Sequence, residues 1–225
     1  MKKKVNHYLK SLLEPSSVVI VGATPRKGAI GNVVVEQMLT GKYNKKNIFI
    51  VNPKYTEVEG IKSYSSFASL PLIPEHVVFV VPDSIIEEKF IEATDIGIKA
   101  ATIFSSLAID NDQKPLLVER IKKIAKEKKI LLCGGNGMGF YNFAKNIWIC
   151  GYKTRKNHLK GSVTLITHSG SVLNSLVDAE SRINYNLVVS PGQELVNNIS
   201  DYLDYALELS STKVMGIFME TARNP

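Results

Sequence analysis

Short apolar runs alternate with amphipathic stretches along this chain. Largely apolar runs occur at Val18–Val21, Val77–Val81 and Ala100–Phe104, whereas Leu116–Glu127 repeats its apolar residues at helical spacing. Strands that are apolar on both faces are typical of a parallel sheet covered by helices on both sides. The pattern therefore predicts an α/β fold, with further strands at Asn47–Val51, Ile130–Cys133, Ser162–Ile166, Leu187–Val189 and Val214–Met219 and further helices at Ile30–Leu39, Val172–Ser181 and Ile199–Leu209.

A polar, basic segment divides the chain. Tyr152–Gly161 contains three lysines and an arginine but few apolar residues, and a new strand–helix rhythm follows it. We therefore predict a first domain at 1–150, a linker at 151–161 and the first part of a second domain at 162–225. The second unit is short for an independent α/β domain, so it is either truncated or completed by a partner.

The first strand leads into a turn that can hold phosphate. Gly22, Gly28 and Gly31 lie between this strand and the predicted helix, where backbone N–H groups and the helix N-terminus favour an anion. A site for NAD usually has Asp or Glu after the next strand, but this chain has Lys54. Arg26, Lys27 and Lys54 near a nucleotide favour an additional phosphate over a free ribose.

Charge and cysteine content limit the ligands and metals that the chain is expected to bind. The chain has 28 Lys and Arg against 21 Asp and Glu, which fits an anionic ligand or simply a lysine-rich composition. Its two cysteines, Cys133 and Cys150, form no metal-binding spacing, and we expect no metal site. With no signal-like segment and no apolar run that could span a bilayer, we expect a cytoplasmic protein that binds neither membrane nor nucleic acid.

Several short motifs in order resemble a known family. They are Leu13-Glu14-Pro15-Ser16-Ser17-Val18, Gly22-Ala23-Thr24, Val51-Asn52-Pro53-Lys54, Val80-Val81-Pro82, the loop around Asn136, Ser169-Gly170-Ser171 and Phe218-Met219-Glu220. Together they resemble the CoA-binding end of the NDP-forming acyl-CoA synthetases, which include the succinyl-CoA synthetase alpha subunit and the ADP-forming acetate–CoA ligases. This resemblance implies a Rossmann-like CoA-binding domain followed by a partial flavodoxin-like domain.

The resemblance also implies roles for individual residues. The residues matched to the CoA site are Gly22, Thr24, Pro25, Arg26, Lys27, Pro53, Lys54, Pro82, Phe104, Ser105 and Ser106. The residues matched to the catalytic region are Ser169, Gly170 and Ser171, which would cradle a phosphohistidine, and Glu220, which would orient it.

The implied reaction converts an acid, CoA and ATP into acyl-CoA, ADP and phosphate, through an acyl phosphate and a phosphohistidine. In the family that histidine lies downstream of the matched glutamate, and none of His7, His76, His158 and His168 matches it. The chain is therefore expected to bind CoA without the phosphoryl carrier. ATP or ADP and Mg²⁺ would be used by the complete enzyme, mostly on an ATP-grasp subunit or domain, and a homo-oligomer is a further expectation.

Other interpretations remain open at this point. Gly134-Gly135-Asn136-Gly137 stands where the family commonly has Gly-Pro-Asn-Cys, which predicts a looser loop. His168 either takes part in function or caps its turn, and a serine hydrolase is disfavoured because Thr167 replaces the first glycine of the nucleophile elbow. The alternative functions are a non-catalytic CoA or nucleotide sensor and an NADP-dependent oxidoreductase.

Overall fold

Two β-sheets organise the computed structural model, which describes residues 7–155, 158–179 and 182–223. The strands are β1 (Val18–Val21), β2 (Ile48–Val51), β3 (Glu57–Val58), β4 (Ile61–Tyr64), β5 (His76–Phe79), β6 (Ala100–Ile103), β7 (Leu131–Cys133), β8 (Gly139–Asn142), β9 (Ile147–Cys150), β10 (Val163–Thr167), β11 (Tyr185–Ser190) and β12 (Val214–Phe218). The helices are α1 (Lys10–Leu13), α2 (Ile30–Thr40), α3 (Asp83–Asp95), α4 (Leu117–Glu127), α5 (Gly170–Asn174) and α6 (Ile199–Glu208).

The first sheet has the order β3-β4-β2-β1-β5-β6-β7. Strand β1 lies between β2 and β5 and is parallel to both, with Val18 opposite Ile48 on one side and His76 on the other. The predicted parallel sheet is therefore confirmed for all strands except β3, which is antiparallel to β4 at the edge. Strands β1, β2, β5 and β6 are buried on both faces. From β2 the sheet continues toward one edge through β4 and β3, and from β5 it continues toward the other edge through β6 and β7. Because the strand order reverses beside β1, a crevice opens at the carboxyl ends of β1, β2 and β5.

The second sheet has the order β12-β10-β11-β8-β9. Strands β10, β11 and β12 are parallel, whereas β8 and β9 form an antiparallel hairpin that pairs with β11. The sequence prediction assigned these hairpin residues to the first domain at 1–150, but the structure pairs them with the second sheet. The physical reason is that the hairpin buries Phe140 and Ile149 in a core shared with Leu187 of β11. The exact domain boundaries stay a prediction.

A single hydrophobic cluster runs from the first sheet to the second. It contains Ile20 of β1, Val34 of α2, Ile149 of β9 and Leu187 of β11, all fully or almost fully buried. The opposite face of the first sheet packs against α3 and α4, and the opposite face of the second packs against α5. The two units therefore share one core.

The segment around α1 joins the two units. Asn142 on β8 donates a hydrogen bond to the Leu13 carbonyl at 3.0 Å, and Tyr205 on α6 donates one to the Glu14 carboxylate at 2.7 Å. Because both donors belong to the second unit, this N-terminal segment contributes to holding the second sheet against the first.

The first residues of α3 and α5 show how these helices begin. Asp83 is the first residue of α3, and its carboxylate accepts hydrogen bonds from Ser106 Oγ and Leu107 N, both at 2.8 Å. The predicted helix Val172–Ser181 begins earlier, as α5, and continues as a π-helical turn over Ser175–Ala179. The end of that prediction, at 180–181, lies outside the described residues.

The segment predicted as a linker makes specific contacts over the part that the structure describes, which leaves out 156–157. Tyr152 accepts a hydrogen bond at its carbonyl from Tyr141, and Lys153 pairs with Glu36 on α2 at 2.8 Å. Lys153 therefore links this polar segment to α2 of the first unit. Among the described residues, the structure contains no helix of the length and apolarity needed to cross a bilayer.

Candidate functional site

A cleft of about 430 Å³ lies at the carboxyl ends of β1, β2 and β5. This is the position at which open parallel sheets commonly bind ligands, and the volume is within the usual range for small-molecule sites. The cleft brings together five of the predicted residues. Its lining includes Gly22, Thr24, Pro53, Lys54 and Pro82, together with Asn52, Tyr55, Ser65, Ser66 and Lys89, which the sequence analysis did not select.

Gly22 and Gly31 let the turn after β1 pack tightly. Gly22 has a φ of +90°, and a Cβ atom there would lie 2.6 Å from Val81 Cγ1. A Cβ atom on Gly31 would lie 2.8 Å from the Cα atom of Ala23. A side chain at Gly22 would collide with the chain after β5, and one at Gly31 would force α2 away from the turn. Gly31 therefore keeps the helix N-terminus beside the cleft, and Gly22 keeps the turn close to the end of β5.

Asn52 connects the two loops that carry the cleft. Its side chain, only 8% exposed, donates to the Ala23 carbonyl at 2.9 Å and accepts from the Lys54 backbone N–H at 3.0 Å. Lys54 is thereby oriented beside the turn, and within the described part of the chain no carboxylate lies within ion-pair distance of its amine. Its charge is therefore available to an anion in the cleft.

The predicted phosphate-binding residues of the turn divide into two groups. Thr24 lines the cleft, and its hydroxyl accepts a hydrogen bond from Arg26 N at 3.3 Å. Pro25, Arg26 and Lys27 are exposed on the rim and do not line it.

Lys27 already has carboxylate partners. Its amine lies 2.8 Å from Glu36 and 2.7 Å from Glu59, and hydrogen bonds to these two carboxylates raise the pKa of Lys27. The sequence could not indicate this competition, because Glu36 is on α2 and Glu59 is in the β3–β4 turn.

A smaller cavity of about 240 Å³ adjoins the cleft and shares Val80 and Val81 with it. Phe104 and Ser105, two predicted residues, line this second cavity beside Ile30 at the start of α2. The Ser105 hydroxyl is buried without a hydrogen-bond partner among the described residues. Ser106, the third residue of that predicted group, instead donates its hydroxyl to Asp83.

The glycine loop after β7 is not loose, contrary to the sequence expectation. Gly134 N donates to the Pro191 carbonyl at 2.9 Å, and Asn136 N donates to the Ser105 carbonyl at 2.8 Å. A Cβ atom on Gly137 would lie 2.7 Å from the Ser190 carbonyl oxygen. Close backbone packing between this loop and the loop after β11 replaces the rigidity that proline would have given.

The predicted catalytic residues lie at the carboxyl ends of β10 and β12. Ser169 caps α5, accepting a hydrogen bond from Val172 N at 3.3 Å, and Gly170 packs against Met138. Glu220 is exposed just beyond β12, and its backbone N–H donates to Nδ1 of His168 at 3.1 Å. His168 thus connects Ser169, its neighbour in sequence, to Glu220. Sequence analysis left the role of His168 open because its tertiary contacts were unknown.

The described residues contain no group of three His, Cys, Asp or Glu side chains that could hold a metal ion. Both cysteines are buried, and burial raises the pKa of Cys133 to about 12 and that of Cys150 to about 11. Thiols in such surroundings are poor nucleophiles.

A family model described as a CoA binding domain matches residues 16–142, which is more than half of the chain. The chain belongs to this CoA-binding family. The matched residues include the whole cleft, from Val21 to Glu92. A second model, described as a succinyl-CoA ligase like flavodoxin domain, matches residues 160–225. These matches confirm the family resemblance and the order of domains inferred from the sequence.

Relatives of this CoA-binding chain include ADP-forming acetate–CoA ligases. It is 32% identical over 219 residues to one from Methanocaldococcus jannaschii, covering 96% of this chain and 30% of the relative. It is 27% identical to the alpha subunit of acetate–CoA ligase I from Pyrococcus furiosus, covering 96% of this chain and 48% of the relative. The chain thus spans between about a third and half of the length of these relatives.

The fold is similar to that of a solved ligase structure. The acetyl-coenzyme A synthetase 1 of Candidatus Korarchaeum cryptofilum, in complex with phosphate and ADP, superposes with a TM-score of 0.84 at 24% identity. The match covers 95% of this chain and 46% of that one. The predicted α/β fold class is confirmed, whereas the roles of individual site residues stay predictions.

Proposed function

We propose that this chain supplies the CoA site of an ADP-forming acyl-CoA ligase. The observation that carries the proposal is Lys54, whose amine has no carboxylate partner among the described residues and whose backbone is held by Asn52 in the cleft of a CoA-binding domain. An unpaired amine beside a phosphate-binding turn suits a nucleotide that carries phosphate beyond its diphosphate. Coenzyme A has such a group at its 3′ position.

The two adjoining cavities support a specific orientation for CoA. Its nucleotide would occupy the larger cleft, with the diphosphate at Thr24 and the 3′-phosphate at Lys54. Its arm would then follow Val80 and Val81 into the smaller cavity, where Phe104 and Ser105 lie. The Ser105 hydroxyl, which has no partner among the described residues, would hydrogen-bond to a polar group of the arm.

Catalysis in the complete ligase would use the second unit. In the ligase direction, the phosphoryl group of ATP would pass through a histidine to the acid, which becomes an acyl phosphate, and CoA would then displace phosphate to give acyl-CoA. In the reverse direction, phosphate would displace CoA from acyl-CoA, and the phosphoryl group of the acyl phosphate would pass through the histidine to ADP. We assign Glu220 to orienting that histidine and the Ser169–Ser171 turn to its phosphate. The four histidines of residues 1–225 are not assigned to the carrier role. Acetate is the acid named for the Methanocaldococcus jannaschii relative, and we propose a carboxylic acid as the substrate here.

ATP and Mg²⁺ would be held by an ATP-binding partner domain or subunit. The alpha-subunit relative supports a division of the enzyme between chains. Strand β12, at the edge of the second sheet, also exposes Val214, Ile217 and Phe218, and exposed apolar edges commonly mark an interaction surface. We propose that this edge meets further protein in the complete ligase. Cytoplasmic location and self-association remain expectations.

Calorimetric titration with CoA, 3′-dephospho-CoA and NADP⁺ tests the proposal. We expect CoA to bind, and loss of the 3′-phosphate to weaken binding by about tenfold to a hundredfold, the usual value of charge-assisted contacts. Equal binding of CoA and dephospho-CoA would remove the role of Lys54. Binding of NADP⁺ in preference to CoA would support the oxidoreductase alternative and overturn the proposal.

A further inference from the structure

His168 and Glu194 form a buried ionisable pair in the second unit. Nε2 of His168 lies 3.2 Å from Oε1 of Glu194, and each side chain is only 3% exposed. Burying a carboxylate is costly unless other groups interact with it. The contacts around the pair therefore indicate what it does.

The histidine contacts the last residue of β12 and the second residue beyond this strand. Its backbone N–H donates to the Phe218 carbonyl at 3.0 Å, and its ring Nδ1 accepts the Glu220 N–H at 3.1 Å. Because Nδ1 accepts this hydrogen bond, the other ring nitrogen, Nε2, faces Glu194 at 3.2 Å, at an angle that forms no hydrogen bond. The ring thus lies between the Glu220 backbone and the Glu194 carboxylate.

Glu194 is in turn fixed by α6 and by the segment beyond Glu220. Its Oε1 accepts the Ile199 N–H, the first of α6, at 2.7 Å, and its Oε2 lies 4.0 Å from Arg223 Nε. Arg223 also donates to the Gln193 carbonyl at 2.6 Å. The buried pair therefore connects a helix, a loop and the strand end that carries Glu220.

We propose that His168 and Glu194 are positioning residues for Glu220. The inference rests on the proposed function, in which the exposed Glu220 carboxylate orients the phosphorylated histidine. A hydrogen bond to its backbone N–H limits the movement of its Cα atom, from which the carboxylate projects. Glu194 acts through His168 by holding the ring with Nδ1 directed at that N–H.

Two substitutions of His168 distinguish its contact with Glu220 from its contact with Glu194. In His168→Asn, Oδ1 is attached to Cγ as Nδ1 is, so the acceptor for Glu220 is kept. In His168→Gln, the terminal amide can still reach Glu194, but the acceptor at Cγ is lost. The two variants are similar in polarity and neither is charged. A loss common to both would therefore reflect the fold, whereas a difference between them reflects the contact with Glu220.

The experiment measures steady-state ligase kinetics and amide hydrogen exchange of the Glu220 peptide in the complete enzyme. We expect His168→Gln to exchange faster at Glu220 and to reduce kcat about tenfold with an unchanged KM for CoA. We expect His168→Asn to remain within about threefold of the original enzyme in kcat. Glu194→Gln should give an intermediate kcat, since the amide keeps an acceptor but loses the charge.

The outcomes distinguish failure of this inference from failure of the proposed function. If Glu220→Gln keeps full activity, the catalytic assignment of Glu220 is wrong and the positioning role is overturned with it. If Glu220→Gln is inactive but His168→Gln keeps its kcat, only the positioning role is overturned. Equal losses in His168→Asn and His168→Gln, with lowered melting temperatures, would assign the pair to folding alone and also overturn the inference.

Discussion

Gln193 donates a hydrogen bond from its side-chain Nε2 to the carbonyl oxygen of Ser106 at 3.0 Å, joining the loop after β11 to the strand end beside the smaller cavity. The next residue, Glu194, meets His168. One loop therefore contacts both the strand end beside the candidate site for the CoA arm and the histidine that holds the Glu220 backbone.

Removing this contact should affect CoA binding modestly. Gln193→Ala deletes one neutral hydrogen bond, which is commonly worth about 1 kcal/mol, so we expect CoA affinity to fall by up to about fivefold. Calorimetric titration measures it. Gln113→Ala, at an exposed position outside both cavities, is the matched control. Unchanged affinity in Gln193→Ala would mean that the loop does not support the arm.

Lys54 and Lys27 should differ in their importance for CoA. Lys54 lines the cleft without a carboxylate partner among the described residues, whereas the amine of Lys27 is paired with Glu36 and Glu59. We expect Lys54→Gln to weaken CoA binding about tenfold or more and Lys27→Gln less than threefold. The measurement is calorimetric titration of both variants.

Dephospho-CoA provides the internal control for this pair. If Lys54 contacts the 3′-phosphate, Lys54→Gln should bind CoA and dephospho-CoA with nearly equal affinity, while Lys27→Gln keeps the preference for CoA. A larger effect of Lys27→Gln would mean that the ligand displaces the two carboxylates, in agreement with the original sequence prediction.

Two glycines in the same turn should differ in their tolerance of alanine. Gly22 and Gly28 both have a positive φ, but a Cβ on Gly22 would overlap Val81, whereas nothing lies within 4 Å of one on Gly28. We expect Gly28→Ala to lower the free energy of unfolding by about 1–2 kcal/mol and Gly22→Ala by about 3 kcal/mol or more. Urea denaturation compares them. Equal losses would argue that the turn relaxes around the added methyl group.

The stability of the protein should fall in mild acid because of His76. The ring is fully buried between the Leu12 carbonyl and the Thr102 hydroxyl, and burial lowers the pKa of His76 from 6.5 to about 4. The unfolded chain therefore takes up a proton near pH 6.5 that the folded chain resists. Stability present above that pH is lost as the pH falls toward 4, by about 3 kcal/mol.

His76→Gln tests this interpretation through the slope of unfolding free energy against pH. Burial also lowers the pKa of His158 to about 4, so a slope near pH 5.5 should persist in the variant but decrease by about 1.4 kcal/mol per pH unit. Hydrogen bonds from Lys153 and Lys27 lower the pKa of Glu36 below its usual 4.5. The stability that this carboxylate contributes is therefore lost only in more acidic solution. An unchanged slope in the variant would show that His76 does not cause the loss.

Local patterns along the chain were sufficient for the family and for most elements, although β3, β4, β8 and β9 were not predicted. The apolar run Val18–Val21 and the glycine turn after it predict a strand, a turn and a helix, because strand formation and glycine conformation depend on neighbouring residues. Lys54 could be selected in the same way, since its position after a strand places it at the sheet edge.

Contacts between residues that are far apart in the sequence could be identified only from the tertiary structure. The sequence determined that Gly139–Cys150 is rich in apolar residues, but only packing decided that this hairpin joins the second sheet. The sequence alone could not indicate that Lys27 pairs with Glu59 or that His168 lies between Glu194 and Glu220. These contacts depend on how separate strands and loops are brought together in the folded chain. Local sequence thus determined which residues reach the sheet edges, and long-range packing decided which of them are free to bind a ligand.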